Sequence, residues 1–231
     1  MDPWPEPEGS LGIYVYGVLR SRVELSFGAI GLGVPPAVVG TMWEGELAAV
    51  VSAGPVGVPD PTRDNVLAHY RVQEAVMREH TLLPTAFGLT VSGRQEVVEL
   101  LRSGHDAFLS VLAQLDGQIE LGLKVLWDRD LMPQEAAEHD ARTIVEALRP
   151  HATAVRVVSP IGERMILNAA FLVAREREAA FDAKMRSLAA QFELLTFQYT
   201  GPWAPYHFAD IRLRRETDRT HLPPKPEAAE I

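Results

Sequence analysis

The sequence predicts an α+β fold in two domains, the second of them ferredoxin-like, and three observations carry that reading. Ile119, Leu121, Leu123, Val125 and Trp127 alternate with Glu120, Gly122, Lys124, Leu126 and Asp128, the period-two signature of a strand with one strongly apolar face. From residue 119 to 200 the order of periodicities is β-α-β-β-α-β, the pattern of two split βαβ units that form an antiparallel sheet with helices on one face. The chain has 231 residues, long for one small domain and comfortable for two. The expected organisation is a leader over 1–10, an N-terminal α/β domain over 11–117, the ferredoxin-like domain over 118–211 and a charged tail over 212–231.

The elements follow in order. Residues 1–10 are too rich in proline, glycine and acids to build a core. Leu11 to Leu19 (LGIYVYGVL) is a short apolar run that reads as a strand buried on both faces. Gly28, Gly31, Gly33, Pro35 and Pro36 mark a loop, and Val38 to Val51 reads as two strand segments around Trp43. Asp60-Pro61 predicts a helix start, with Asp as N-cap and Pro at the first helical position. That helix runs to about His80, with Val66, Tyr70 and Met77 on one side. The segment Leu82 to Leu89, interrupted by Pro84, fits an edge strand or an extended loop. Residues 93–116 carry two helical patterns split near Ser103-Gly104. After the alternating strand come a helix over 134–149 ended by Pro150, strands over 152–158 and 164–174, and a helix over 176–190 with a stripe of Phe181, Met185 and Leu188. A last strand from Phe192 to Thr200 is expected to stop where prolines begin.

Composition narrows the function. Apolar residues make up 47% and charged residues 23%, an ordinary globular balance. The net charge of −9 disfavours nucleic-acid binding, which needs a cationic surface. The absence of cysteine excludes disulfides, thiolate chemistry, zinc ribbons and iron–sulfur clusters. The seven histidines show no ligand spacing, and there is no G-x-S-x-G. No catalytic residues, metal ligands or cofactor are therefore assigned. No apolar run approaches the ~20 residues that span a bilayer, and the first residues lack the basic and apolar regions of a signal peptide. A cytoplasmic protein that engages neither membrane nor nucleic acid is expected.

The densest local signal is Thr200-Gly201-Pro202-Trp203-Ala204-Pro205-Tyr206-His207-Phe208. Pro202 and Pro205 fix φ and lack N–H groups, and Gly201 permits a sharp turn. The product is a stiff aromatic knuckle that either seals the end of a sheet or is offered to a partner. It holds no nucleophile and no acid–base pair.

Three segments, in this order and spacing, resemble the gas vesicle protein GvpL/GvpF family. They are Leu82-Leu83-Pro84-Thr85-Ala86-Phe87-Gly88 with the later Glu120-Leu121-Gly122-Leu123-Lys124-Val125, then Glu163 through Val173 (ERMILNAAFLV), then the Thr200-to-Phe208 knuckle. Ile13-Tyr14-Val15-Tyr16-Gly17 is also similar to the family's start. The resemblance covers about residues 11–211, with one departure: Ala86 stands where the family commonly has a basic residue. It implies a two-domain α+β fold and a non-enzymatic accessory or minor structural protein of gas vesicles. It also implies contact with the major shell protein GvpA, and with other accessory proteins, during wall assembly.

Candidate partner-binding residues are Trp203, Tyr206, Phe208, Glu163, Arg164, Asn168, Pro84 and Phe87, with Gly201, Pro202, Pro205 and Gly88 as turn formers. Each has a plainer structural reading. The aromatics can fold back onto the sheet, Asn168 can satisfy a neighbouring loop, Glu163 and Arg164 can form a solvated ion pair, and Pro84 with Phe87 and Gly88 can simply break an edge strand. The rival function is a small-molecule-binding regulator or an enzyme on a ferredoxin-like fold, since such sheets host many activities.

Overall fold

The computed structural model describes residues 11–55 and 57–209, which form a mixed α and β structure built on antiparallel sheets. The leader over 1–10 and the tail over 212–231 lie outside the described residues. By internal contacts the chain separates into two compact units, with the division between Asp116 and Gly117.

In the first unit, β1 (Leu11–Arg20), β2 (Ser26–Ala29), β3 (Val38–Glu44), β4 (Leu47–Pro55), β5 (Leu82–Pro84) and β6 (Thr90–Val91) form one sheet. Its order is β2-β3-β4-β1-β5, and β6 also pairs with β1. Strands β3 and β4 form a tight hairpin in which Glu44 opposes Leu47 and Gly45 turns at φ 62°. The predicted double burial of β1 is realised: Ile13, Tyr14, Val15, Tyr16, Val18 and Leu19 are all buried. Three helices accompany the sheet, α1 (Arg63–Met77), α2 (Arg94–Ser103) and α3 (His105–Gln114). The break between α2 and α3 falls where the sequence places it. Gly104 packs against the Phe108 ring there, and a Cβ at this position would displace that ring.

Local details differ from the sequence reading. The cap of α1 is Thr62, whose hydroxyl accepts from Asn65 N–H, and not Asp60. Asp60 instead offers its carbonyl to the Asn65 amide. The buried face of α1 is His69, Val72, Gln73, Val76 and Met77; Val66 and Tyr70 are only half-buried. Two polar side chains occupy the centre of that face, which hydrophobic periodicity cannot register. The sequence reading names neither β2 nor β6 as a strand, because four- and two-residue strands carry too few side chains to show a period.

His69 and Gln73 are buried because β1 supplies partners. The Tyr14 hydroxyl accepts from Gly88 N–H at 2.9 Å and is hydrogen-bonded to His69 Nδ1 at 2.8 Å. The His69 Nε2 lies 3.1 Å from the Thr85 carbonyl and 2.9 Å from the Gln73 amide nitrogen. Gln73 donates to the Tyr16 carbonyl at 2.8 Å, and the Tyr16 hydroxyl meets Ser52 Oγ at 2.9 Å and the Leu32 N–H at 3.0 Å. A buried network of this kind stabilises when every member is satisfied, and among the described residues no buried side-chain polar atom lacks a partner.

The second unit follows the order β7 (Gln118–Trp127), α4 (Gln134–Leu148), β8 (Ala154–Val158), β9 (Met165–Ala174), α5 (Glu178–Gln191), β10 (Leu195–Trp203). The sheet is antiparallel, with order β10-β7-β9-β8. Leu121, Leu123 and Val125 on β7 and Phe171 on β9 are buried on one face. Phe181 of α5 lies 5.2 Å from the Phe171 ring and 6.2 Å from the Tyr199 ring. The predicted stripe of Phe181, Met185 and Leu188 is the buried face of α5. The Tyr199 hydroxyl donates to Asp182 at 2.5 Å. Strand β10 does not stop at Thr200 but resumes through Pro202, with Trp203 opposite Glu120 after a break in register. It can do so because β10 is an edge strand, where a missing N–H costs no ladder bond.

Burial lowers the His69 pKa from its usual value to about 4. The unfolded chain takes up this proton near pH 6.5 and the folded chain only near 4, so the contribution of neutral His69 is complete above pH 6.5. It falls as pH drops through that window, by about 3 kcal/mol in all. Denaturant unfolding of the wild type and of His69→Gln between pH 7 and pH 4 should show a steeper loss in the wild type; parallel curves would refute the assignment.

Candidate functional site

The knuckle does not project from the end of the sheet. Both helices of the second unit serve the face that carries Leu121 and Phe171, and the chain after β10 is applied to the opposite face. Residues directly opposed across an antiparallel sheet share a face. The register places Trp203, Glu120, Leu172 and Ala154 in one row, and Thr200, Gly122, Ala170 and Arg156 in the next. Ala204 and Pro205 are buried, and Tyr206, His207 and Phe208 are half-buried. The Phe208 ring lies 5.7 Å from the Arg156 guanidinium carbon on β8, a cation–π contact. The segment thus runs from the β10 edge towards the β8 edge, with Leu172 and Ala170 among the buried residues of this face.

Glu120 holds it there. Its side chain is almost fully buried, yet it belongs to the polar half of the β7 alternation. Its carboxylate accepts the backbone N–H of His207 at 2.7 Å and the ring Nδ1–H of the same residue at 2.5 Å. Bonds to an ionised acceptor are about twice as strong as neutral ones, so one buried carboxylate anchors both backbone and side chain of the knuckle. Gly201 makes the approach possible: it sits at φ +125°, and a Cβ there would lie 2.9 Å from the Glu120 carbonyl oxygen. Sequence reasoning placed Glu120 as the polar partner in an alternation and at the start of a family-like segment, and not as an anchor. The available signal was a carboxylate on a strand whose neighbouring positions on the same face are Gly122 and Lys124.

The remaining candidates separate into distinct places. Trp203 is 39% exposed. Asn168 is half-buried opposite Lys124 and Val158, four positions along β9 from Leu172. Glu163 and Arg164 precede β9. They do not pair with each other: Glu163 accepts from Arg129 at 2.8 Å, and Arg164 lies 3.8 Å from Asp128. The Arg164 carbonyl accepts from Trp127 N–H and ties the start of β9 to the end of β7. Pro84 and Phe87 belong to the first unit. Pro84 is buried within β5 against Gly17 of β1, and the Phe87 ring packs 6.1 Å from Tyr14 and 5.8 Å from His69. Gly88 takes φ +98° and gives its N–H to Tyr14. As the edge-strand reading of the sequence has it, β5 is the terminal strand of its sheet, and Leu82, Leu83 and Pro84 are all buried. A groove of about 980 Å³ lies elsewhere in the second unit, lined by residues of α4, β8 and the start of β9. Among the described residues no group of three or more His, Asp or Glu could hold a metal ion.

The model of the family described as "Gas vesicle synthesis protein GvpL/GvpF" matches residues 12–140 and 132–210. This chain belongs to the GvpL/GvpF family. It is 30% identical over 213 residues to gas vesicle protein F of Haloferax mediterranei, covering 90% of this chain and 97% of that protein. It is also 30% identical over 208 residues to gas vesicle protein F1 of Halobacterium salinarum, covering 88% and 95%. The crystal structure of GvpF from Anabaena superposes with a TM-score of 0.79 at 26% identity, over 90% of this chain and all of that one. The fold of the family is therefore the fold of this chain, and its role is a gas vesicle-related one. Among the described residues no helix is long and apolar enough to cross a membrane.

Removing the Glu120 carboxylate should free the knuckle without unfolding the sheet. In Glu120→Ala the His207 amide should exchange with solvent deuterium far faster than in the wild type, at a cost of about 1–3 kcal/mol for the orphaned donor. Gly201→Ala should cost a similar amount through its positive φ and the Glu120 carbonyl. A His207 amide still protected in Glu120→Ala would show that the anchor lies elsewhere.

Proposed function

We propose that this protein is a non-enzymatic accessory or minor structural component of gas vesicles, acting in the cytoplasm, that binds the major shell protein GvpA and supports assembly of the vesicle wall. Other vesicle accessory proteins are further partners in this reading. The observation that carries it is the state of the knuckle. Trp203 is substantially exposed on a segment whose backbone is already held by Glu120 and shaped by Pro202 and Pro205. Large aromatics are the usual anchors of interfaces, and a segment ordered before binding loses little entropy on docking. The partner is an apolar subunit whose surface suits such an anchor. Tyr206 and Phe208 flank Trp203 as the half-buried margin of the patch, and Asn168 offers a polar contact on the same sheet.

We read Gly117–Phe208 as a ferredoxin-like domain, supported by its β-α-β-β-α-β order and its strand order β10-β7-β9-β8. Residues 11–116 form a separate α/β domain in this reading. The sheet is a scaffold here: its helix-covered face supplies stability, and its other face carries the binding segment.

Co-expression with the shell protein and recovery through a tag on this chain tests the proposal. Wild type should recover the shell protein, and Trp203→Ala with Tyr206→Ala should reduce recovery by about tenfold or more while the far-UV circular dichroism stays unchanged. Undiminished recovery by the folded double variant would remove the knuckle as the binding surface. Failure of the wild type to recover it would overturn direct binding.

A further inference from the structure

The groove of about 980 Å³ in the second unit lies between α4 and the strands β8 and β9, and the knuckle takes no part in it. Its floor is apolar, with Ala141 and Val145 from α4, Val157 from β8, and Met165 and Leu167 from β9. Val157 is 61% exposed, so part of that floor faces water. Beside it, β8 is the edge of the sheet and pairs only with β9. An edge strand of this kind presents unpaired backbone groups and accepts another strand unless something blocks it. Neither proline nor an inward-pointing charge protects this one: β8 reads Ala-Val-Arg-Val-Val, and Arg156 lies against Phe208 on the opposite face.

The α4 wall of the groove identifies the occupant. Four charged residues line it in the order Glu138, Arg142, Glu146, Arg149. They follow the helical repeat, so they form a stripe of alternating sign along one side. Reversed end to end, a stripe of minus, plus, minus, plus becomes plus, minus, plus, minus. Two copies of α4 laid antiparallel therefore place Glu138 opposite the second copy's Arg149, and Arg142 opposite the second copy's Glu146. A parallel alignment would set like against like. A two-fold axis demands a surface that complements itself, and this stripe does so in the same antiparallel sense in which two β8 edges would pair.

We propose that the β8 edge and the α4 groove are the interface of a symmetric dimer of this chain. The β8 strands join antiparallel, Val157 fills the apolar floor against the second copy's Val157, and the α4 stripes interlock above them. That register sets Arg156 opposite Val158 and avoids two arginines facing each other across the axis. The Glu146–Arg149 pair within one chain, at 3.0 Å and more than half exposed, is weak and exchanges partners at little cost.

Sedimentation equilibrium of the full chain, from low concentrations up to about 100 µM, tests this. Wild type should dimerise, less tightly at high salt. Arg142→Glu and Glu146→Arg should each weaken the dimer by about tenfold or more, because each sets two like-charged contacts across the axis. Combining the two restores the opposition and should recover the wild-type constant. Both positions lie on the surface, and unchanged thermal midpoints would show that the single variants fold. A monomer at all concentrations overturns the proposal, even if another protein occupies the groove. A dimer indifferent to the single charge reversals, or a double variant no tighter than the singles, overturns it as well.

Discussion

In the second unit both helices cover one face of the sheet, and the chain that follows β10 is held on the other face by the buried carboxylate of Glu120. The Glu120 oxygens have no solvent to accept from, so they draw the two N–H groups of His207 onto the sheet. Once His207 is held, Ala204 and Pro205 are pressed into the interior, and Phe208 meets Arg156 across the sheet. The opening of Trp203 to solvent follows from the same geometry. It sits at the bend between the last ladder position and the segment that turns over the sheet.

The first unit solves a related problem with neutral groups. Its central strand β1 is buried on both faces and carries two tyrosines, whose hydroxyls cannot be left unpaired there. Helix α1 and the strand β4 supply the partners, His69 and Ser52, and the loop after β5 adds Gly88 and Thr85. These bonds fix how the helix and the short strand β5 register on β1. Burial raises the pKa of both tyrosines and lowers that of the histidine. The network is therefore uncharged at neutral pH, and packing against Phe87 remains favourable.

Much of the second unit was legible because its signals are periodic. The alternation of Ile119 to Trp127 and the stripe of Phe181, Met185 and Leu188 each map onto one element with one buried face. The first unit was less legible. Its strands β2, β5 and β6 have four, three and two residues, and α1 buries His69 and Gln73 where a periodic reading looks for apolar residues. The knuckle was conspicuous from its prolines and aromatics, but its destination was not. The residue that decides where it goes, Glu120, stands 87 positions earlier in the chain.

The sequence by itself determined the type of the longer, periodic elements, the break at Gly104, the family resemblance and the stiffness of the Thr200-to-Phe208 segment. Those properties are local: they follow from side-chain period, from the fixed φ of proline and from the freedom of glycine. The tertiary structure alone decided that β10 is an edge strand able to run through Pro202, that Glu163 pairs with Arg129 and not with Arg164, and that Pro84 is buried while Trp203 is exposed. Each of these depends on which strands become neighbours. Strand neighbours are chosen by the summed burial of whole faces, a quantity no single stretch of residues contains.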